Sequence, residues 1–300
     1  MLYMGSVNRL IFWILIPLLL ISYLAFRVAE WRLQQSDQSL IFAEGHAVNL
    51  SDSNDINCLI LGGSNALFSL SAEQISTEIG LKCYNLSLLH EGYSDEAYFD
   101  FINSITFDRM KITSVFYSSI IPVIRSSFDK RMLNNENKRS ISGKQDFQLL
   151  GGSIAGYLKY RLQDKTQHHY PSPTSSGDFN FDLYDGCDSK SIKDDWTLVN
   201  IDDDFRKWFG DNLLTLQSLF QNAQIYFVLP STLQSNISDE ELTTFSNLIQ
   251  IEVMKQSVIY IEQSAFQSRD ALCDGTHHAN SHGRRIRTNE LLMLLRVQNH

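Results

Sequence analysis

A hydroxyl becomes a strong nucleophile when a base stands within hydrogen-bond reach and a carboxylate orients that base. Two short stretches of this 300-residue sequence carry the residue types for that arrangement. The first is 61–65 (LGGSN), where Ser64 follows two glycines at the end of an apolar run. A serine on a strand-to-helix turn presents its Oγ above a sheet, and the helix that follows aims backbone N–H groups at any oxyanion. Gly63 and its neighbour let the backbone approach closely. The same pattern also makes phosphate-binding turns and ordinary helix N-caps. The second stretch is 274–280 (DGTHHAN), followed by Gly283. Asp274 and His277 bring a carboxylate and an imidazole from one turn, so the carboxylate can hold one ring nitrogen while the other faces a serine. The plainer alternative is that Asp274 or Asn280 caps the next helix and the histidines are solvated. A metal reading also exists. His278 and His282 are four residues apart with Asp274 near, a spacing that can ligate zinc. No HExxH is present, and that reading leaves the serine turn unexplained, so neither metal nor cofactor is expected.

For these two stretches to meet, the elements around them must bring them to one edge. Short apolar runs at 57–63, 82–86, 114–121, 224–229 and 258–262 read as buried strands. Helical spacing lies between them at 70–79, 93–105, 205–220, 240–255 and 280–297. Strands alternating with helices imply right-handed crossovers and a parallel sheet. The expected fold is α/β: a flavodoxin-like, doubly wound parallel sheet of about five strands. Its ligands bind beyond the carboxyl ends of the strands, where both stretches fall. Residues 123–200 interrupt the pattern with polar and basic clusters, the pair His168 and His169, and PSPTSSGD. This is too long for a plain connection, and we read it as an insertion over the site or a partly disordered stretch. His90 and Glu91, after the second run, are candidates for the cleft wall.

The N-terminus stands apart. Leu10–Phe26 carries no charge, and its 17 residues span roughly 25 Å as a helix. Arg9, Arg27 and Arg32 flank it, with Trp13, Tyr23 and Trp31 as interfacial anchors. Small residues suited to signal-peptide cleavage are missing, which favours an uncleaved anchor over a leader. The organisation expected is a cytoplasmic 1–9, a single-pass anchor at 10–29, a stalk at 30–55 and an α/β domain at 56–300. The flanking charges do not set the orientation. The net charge of −9 argues against nucleic acid as a partner. No CxxC occurs among the four cysteines. Cys58 and Cys83 sit in strand-like runs and read as small buried apolar residues. Cys187 and Cys273 lie in polar, loop-like stretches and can pair in an oxidising compartment.

Ser64 after a first strand, with Asp274, His277, Asn280 and Gly283 near the C-terminus, resembles the SGNH (GDSL-type) hydrolases. The Asp-x-x-His-x-x-Asn-x-x-Gly spacing is similar to the membrane-anchored, cell-envelope branch of that superfamily, which includes alginate-type O-acetyltransferases and D-alanyl transfer proteins. Tyr84–Ser87 (YNLS) is similar to that branch's second block. The resemblance runs over about 57–297 and is carried by these short motifs. It implies Ser64 as nucleophile, His277 as general base and then acid, and Asp274 as its orienter. Gly63, Asn65, Ser87, Gly92 and Ser118 become candidates for the oxyanion and binding groups. It further implies acyl transfer to, or ester hydrolysis on, an envelope or extracellular polysaccharide. The domain would lie in the periplasm on a bacterial inner-membrane anchor, with a membrane-bound acyltransferase as a partner. The sequence departs from the pattern in reading Gly-Gly-Ser in place of Gly-Asp-Ser. It also lacks the Gly-x-Asn of the third block, where Tyr117-Ser118-Ser119-Ile120 stands. A second reading is therefore an inactive domain of this type that binds glycan or scaffolds a synthesis complex.

Overall fold

The computed structural model describes residues 23, 45–50, 55–88, 95–118, 123–124, 171–192, 197–198, 200–233 and 237–298. All of these but Tyr23 belong to one compact unit, drawn from 42–142 and 168–300. The expected cytoplasmic segment and anchor lie outside the described residues apart from Tyr23. Among the described residues no helix is long and apolar enough to cross a membrane.

Five parallel strands form the sheet: β1 (Cys58–Gly62), β2 (Cys83–Asn85), β3 (Ser114–Ser118), β4 (Gln224–Val228) and β5 (Ile259–Ile261). Their spatial order is β2-β1-β3-β4-β5, with every neighbouring pair parallel. This is the flavodoxin-like order, in which the chain reverses direction of travel beside β1. The strands read as unbroken apolar runs because both faces are covered. Successive side chains point to opposite sides. Leu59, Leu61, Val115, Tyr117, Ile225 and Phe227 therefore enter one core and Cys58, Ile60, Phe116 and Val228 the other.

Among the described residues the helices that cover the two faces include α1 (Ser64–Ser69), α2 (Ala72–Ile79), α3 (Asp95–Ser104), α4 (Asp203–Leu219), α5 (Asp239–Lys255) and α6 (Ser281–Gln298). The first core takes Ile102 from α3, Phe209 and Leu213 from α4, and Ile249 and Val253 from α5. The second takes Ile75 from α2 and Leu291, Leu292 and Leu295 from α6. The helix starts follow capping chemistry. Asp202 accepts the Phe205 N–H (2.9 Å), and Ser238 with Glu241 forms a reciprocal capping box at α5.

The structure differs from the sequence expectations in three places. The helix expected over 70–79 is α2, and a further helix that was not expected, α1, precedes it and starts directly at Ser64. Ser71 breaks the run by accepting the Gln74 N–H as the N-cap of α2. Cys58 and Cys83 are bonded as a disulfide, not merely packed: they are register partners on adjacent strands, with Cα atoms 4.2 Å apart. The third place lies within the stretch expected to be a stalk. Residues 45–50 are helical and belong to the domain, with Leu50 and His46 buried.

His46 bonds to Tyr84 Oη and to the Ser87 carbonyl, each at 3.0 Å. A carbonyl only accepts, so Nε2 donates to Ser87 and Nδ1 accepts from the phenol. Burial pushes the imidazole down to about 3, against the partial rescue of the Ser87 bond. The unfolded chain binds this proton below pH 6.5 and the folded chain refuses it until about pH 3. The His46 contribution is therefore complete above pH 6.5 and is lost as pH falls toward 3, by up to about 1.4 kcal/mol per pH unit. The stability difference between wild type and His46→Gln, from urea unfolding, is expected to shrink between pH 7 and pH 4.5. A difference independent of pH would show that the buried ring accepts a proton.

Candidate active site

The nucleophile candidate is placed by a glycine. At the end of β1, Gly62 has φ +149°, and a Cβ there would collide with the Ser118 carbonyl oxygen of β3. Only glycine lets the chain turn this close to its neighbour. The Gly62 N–H donates to Tyr98 Oη (3.0 Å), and that phenol donates to the Leu86 carbonyl (3.2 Å). Gly63 then caps α1, its carbonyl accepting from Ala66 and Leu67 at 3.1 Å each. Ser64 is the first residue of the helix. Its own N–H lies in the turn that has no intrahelical acceptor.

The partner loop is held by backbone bonds. The Cys273 N–H donates to the His278 carbonyl (2.7 Å), His278 to Gly275 (3.2 Å) and Asn280 to Ala271 (2.9 Å). Asn280 clamps the exit: its Nδ2 donates to the carbonyls of Asp270 (2.7 Å) and Leu272 (3.1 Å), and its Oδ1 accepts the Gly283 N–H (3.0 Å). Gly283 is needed because a Cβ would strike the Ala271 carbonyl oxygen. The Asn and Gly of the C-terminal motif thus shape the loop and cap α6.

Within that loop the imidazole that meets the serine belongs to His278, not His277. His278 Nε2 lies 2.8 Å from Ser64 Oγ, and His278 Nδ1 lies 2.7 Å from Asp274 Oδ1. A carboxylate accepts only, so Nδ1 carries the proton and Nε2 is left to accept the serine hydroxyl hydrogen. The ring stacks on Phe68, one turn along α1 from Ser64, with centroids 4.3 Å apart and planes 10° from parallel. The His278 and Asp274 side chains are 21% and 19% exposed, open enough for a substrate to reach yet largely shielded. The expectation for His277 is corrected accordingly. The tight turn between Cys273 and His278 puts residues 274 and 278 on the same side, and it buries His277, whose carbonyl accepts from Ser231 Oγ (3.4 Å).

Part of the 123–200 stretch is bound to this site. The Asp178 carboxylate caps α2 from outside, accepting the N–H of Ala72 (2.7 Å) and Glu73 (3.1 Å) and the hydroxyl of Ser71 (2.9 Å). Phe179 stacks on Phe68 at 4.2 Å. The Arg284 guanidinium donates to the Phe179 carbonyl (2.8 Å); burial pushes it below its usual range, while Asp178 holds it up. Tyr184 donates its phenolic hydrogen to Asp274 Oδ2 (2.6 Å). Cys187 is disulfide-bonded to Cys273, next to Asp274. Sequence reasoning considered His278 only as a metal ligand, and it missed Phe68, Phe179 and Tyr184. For Phe68 the four-residue offset from Ser64 was a usable signal, but nothing in the sequence ties Tyr184 to Asp274.

The other candidates separate. Asn65 is buried, its Nδ2 donating to the Ser118 carbonyl (2.9 Å), so its amide joins α1 to β3. Ser118 pairs with Gly62 at the end of β3 and is itself buried. Ser87 is wholly buried, with its N–H on Asn85 Oδ1 (3.1 Å), and does not face a cleft. Gly92, His90, Glu91, Ser119, His168 and His169 lie outside the described residues. For the metal alternative, His282 faces the Arg285 guanidinium at 3.5 Å while His278 is held between Ser64 and Asp274. Among the described residues no three His, Cys, Asp or Glu converge as a metal site.

This geometry separates two adjacent histidines. His278→Ala is expected to slow covalent capture of Ser64 by a fluorophosphonate by about a thousandfold. Any loss in His277→Ala is expected to track a fall in melting temperature. Equal loss of capture in two well-folded variants would contradict the assignment. No protein-family model and no curated protein matches the chain. Among solved structures it is similar to the phospholipase A1 from Streptomyces albidoflavus NA297, at 8% identity over 81% of this chain and 99% of that one, with a TM-score of 0.33.

Proposed function

We propose that this chain is a serine-dependent acyl-transfer enzyme, an esterase or O-acyltransferase, with Ser64, His278 and Asp274 as its triad. The observation that carries the reading is the unbroken hydrogen-bonded series from Ser64 Oγ through His278 to Asp274, at 2.8 and 2.7 Å. Ser64 Oγ attacks the acyl carbonyl as His278 Nε2 takes its proton, and Asp274 stabilises the imidazolium. The oxyanion faces the Ser64 backbone N–H. His278 then returns the proton to the leaving oxygen, and the acyl group remains as an ester on Ser64. In the second half, His278 deprotonates water, giving hydrolysis, or a sugar hydroxyl, giving transfer.

The substrate proposed is an O-acyl group, most simply acetyl, of an envelope or extracellular polysaccharide. The resemblance of the motifs supports this, as does the uncharged run at 10–26 within the anchor expected at 10–29, which would hold the domain on the inner membrane facing the periplasm. The pairing of all four cysteines agrees with an oxidising compartment. A membrane-bound acyltransferase would be the natural acyl donor. One observation favours the second reading, an inactive domain that binds glycan. The Asn65 and Asn85 amides donate to the Ser118 and Leu70 carbonyls, and Ser87 is buried, so side-chain oxyanion donors are scarce among the described residues.

Turnover decides between them. The full-length chain is expected to release p-nitrophenol from p-nitrophenyl acetate, and Ser64→Ala to lower kcat/KM by at least about a thousandfold. Adding polysaccharide acceptors and following acetyl incorporation separates transferase from esterase. Equal inertness of wild type and Ser64→Ala would sink the enzymatic reading in favour of the binding domain.

A further inference from the structure

Asp274 is served from two directions, and one of them belongs to the interrupting stretch. Oδ1 takes the His278 Nδ1 hydrogen, and Oδ2 takes the Tyr184 phenolic hydrogen at 2.6 Å. Tyr184 is buried, with its ring edge-on to Phe179 (5.2 Å) and Phe68 (6.4 Å), the ring that stacks on His278. Three residues later, Cys187 is bonded to Cys273, the neighbour of Asp274. Further along, Arg269 Nη1 donates to the carbonyls of Ser189 (3.1 Å) and Ile192 (2.7 Å). At the other end, Gly177 (φ +78°) lies so close to Asn85 that a Cβ would strike its carbonyl oxygen.

We infer that residues 178–187 form a strap in which Tyr184 is a positioning residue for Asp274, and that the Cys187–Cys273 disulfide keeps that residue in place. The inference rests on the triad reading and adds to it a residue that acts only through Asp274. A carboxylate with one oxygen unpaired can rotate about its Cβ–Cγ bond and take the imidazole out of line. With a short phenolic bond on Oδ2, the plane of the carboxylate is fixed while Oδ1 faces His278. Chain connectivity closes a small ring through Tyr184, Asp185, Gly186, Cys187, Cys273 and Asp274, so phenol and carboxylate move together.

The test is a double-mutant cycle on the full chain, read as kcat and KM on p-nitrophenyl acetate and as the rate of fluorophosphonate capture at Ser64. Tyr184→Phe keeps the ring and loses only the donor. It is expected to lower kcat about tenfold at unchanged KM in protein that remains folded at the assay temperature, the scale of a lost hydrogen bond to a charged group. In an Asp274→Ala background the same substitution should change the capture rate by less than about twofold, because the residue it serves is gone. The pair Cys187→Ser with Cys273→Ser retains the phenol; its kcat should also fall, and Tyr184→Phe should add little to it. A tenfold loss from Tyr184→Phe in both backgrounds would mean a general structural role and overturn the inference. Full kcat in Tyr184→Phe, or in the disulfide-free pair, would overturn it as well. These results are read only where wild type turns over and Ser64→Ala does not, so they fail separately from the triad.

Discussion

A carboxylate largely withdrawn from water must find a donor for each oxygen or lose its charge. Asp274 meets this demand with His278 on one side and Tyr184 on the other. Much of the local architecture answers to it. The imidazole must sit where it serves both Asp274 and Ser64, residues that lie 210 positions apart in the chain. Parallel order in the sheet brings the turn after β1 and the loop before α6 to the same carboxyl edge, where such sites form. Phe68, placed by α1 beside Ser64, gives the ring a flat surface to rest on.

Two close backbone passages make this possible, and both depend on glycine. Gly62 lets β1 turn against the Ser118 carbonyl, and Gly283 lets α6 begin against the Ala271 carbonyl. Side chains then lock what glycine allows: Tyr98 on the Gly62 N–H, and Asn280 on three backbone groups around the loop. The C-terminal motif therefore divides by role. Asp274 and His278 are the ionisable pair, while Asn280 and Gly283 give the loop its shape.

The five strands and most helices were legible because their apolar runs and 3.6-residue periods reflect burial on both faces of the sheet. The crossover rule makes the strands parallel but leaves their order open, and the order is seen in the register of neighbouring strands. Ser64 and Asp274 were legible from spacing, but His277 against His278 was not. Adjacent histidines differ only in which way a turn sends them, and the turn is set by the bonds of Cys273 and His278 to each other and to Gly275. Cys58 and Cys83 read as core residues because burial and disulfide bonding share a composition signal; strand register distinguishes them. The stretch that holds the strap was read as an insertion over the site or a partly disordered segment because its polarity is high, and none of its contacts was legible. Its fixed points are single long-range contacts, Asp178 to α2 and Tyr184 to Asp274, which leave no local period.

The central claim is that Ser64 is the hydroxyl activated by this arrangement. Its most direct measurement is the site of modification when the full-length chain reacts with a fluorophosphonate, mapped by peptide mass spectrometry. The account predicts one stoichiometric adduct on the peptide containing Ser64, formed by native protein and not formed by protein unfolded in urea before the reagent is added. An adduct on another residue, or none from folded protein, would contradict it.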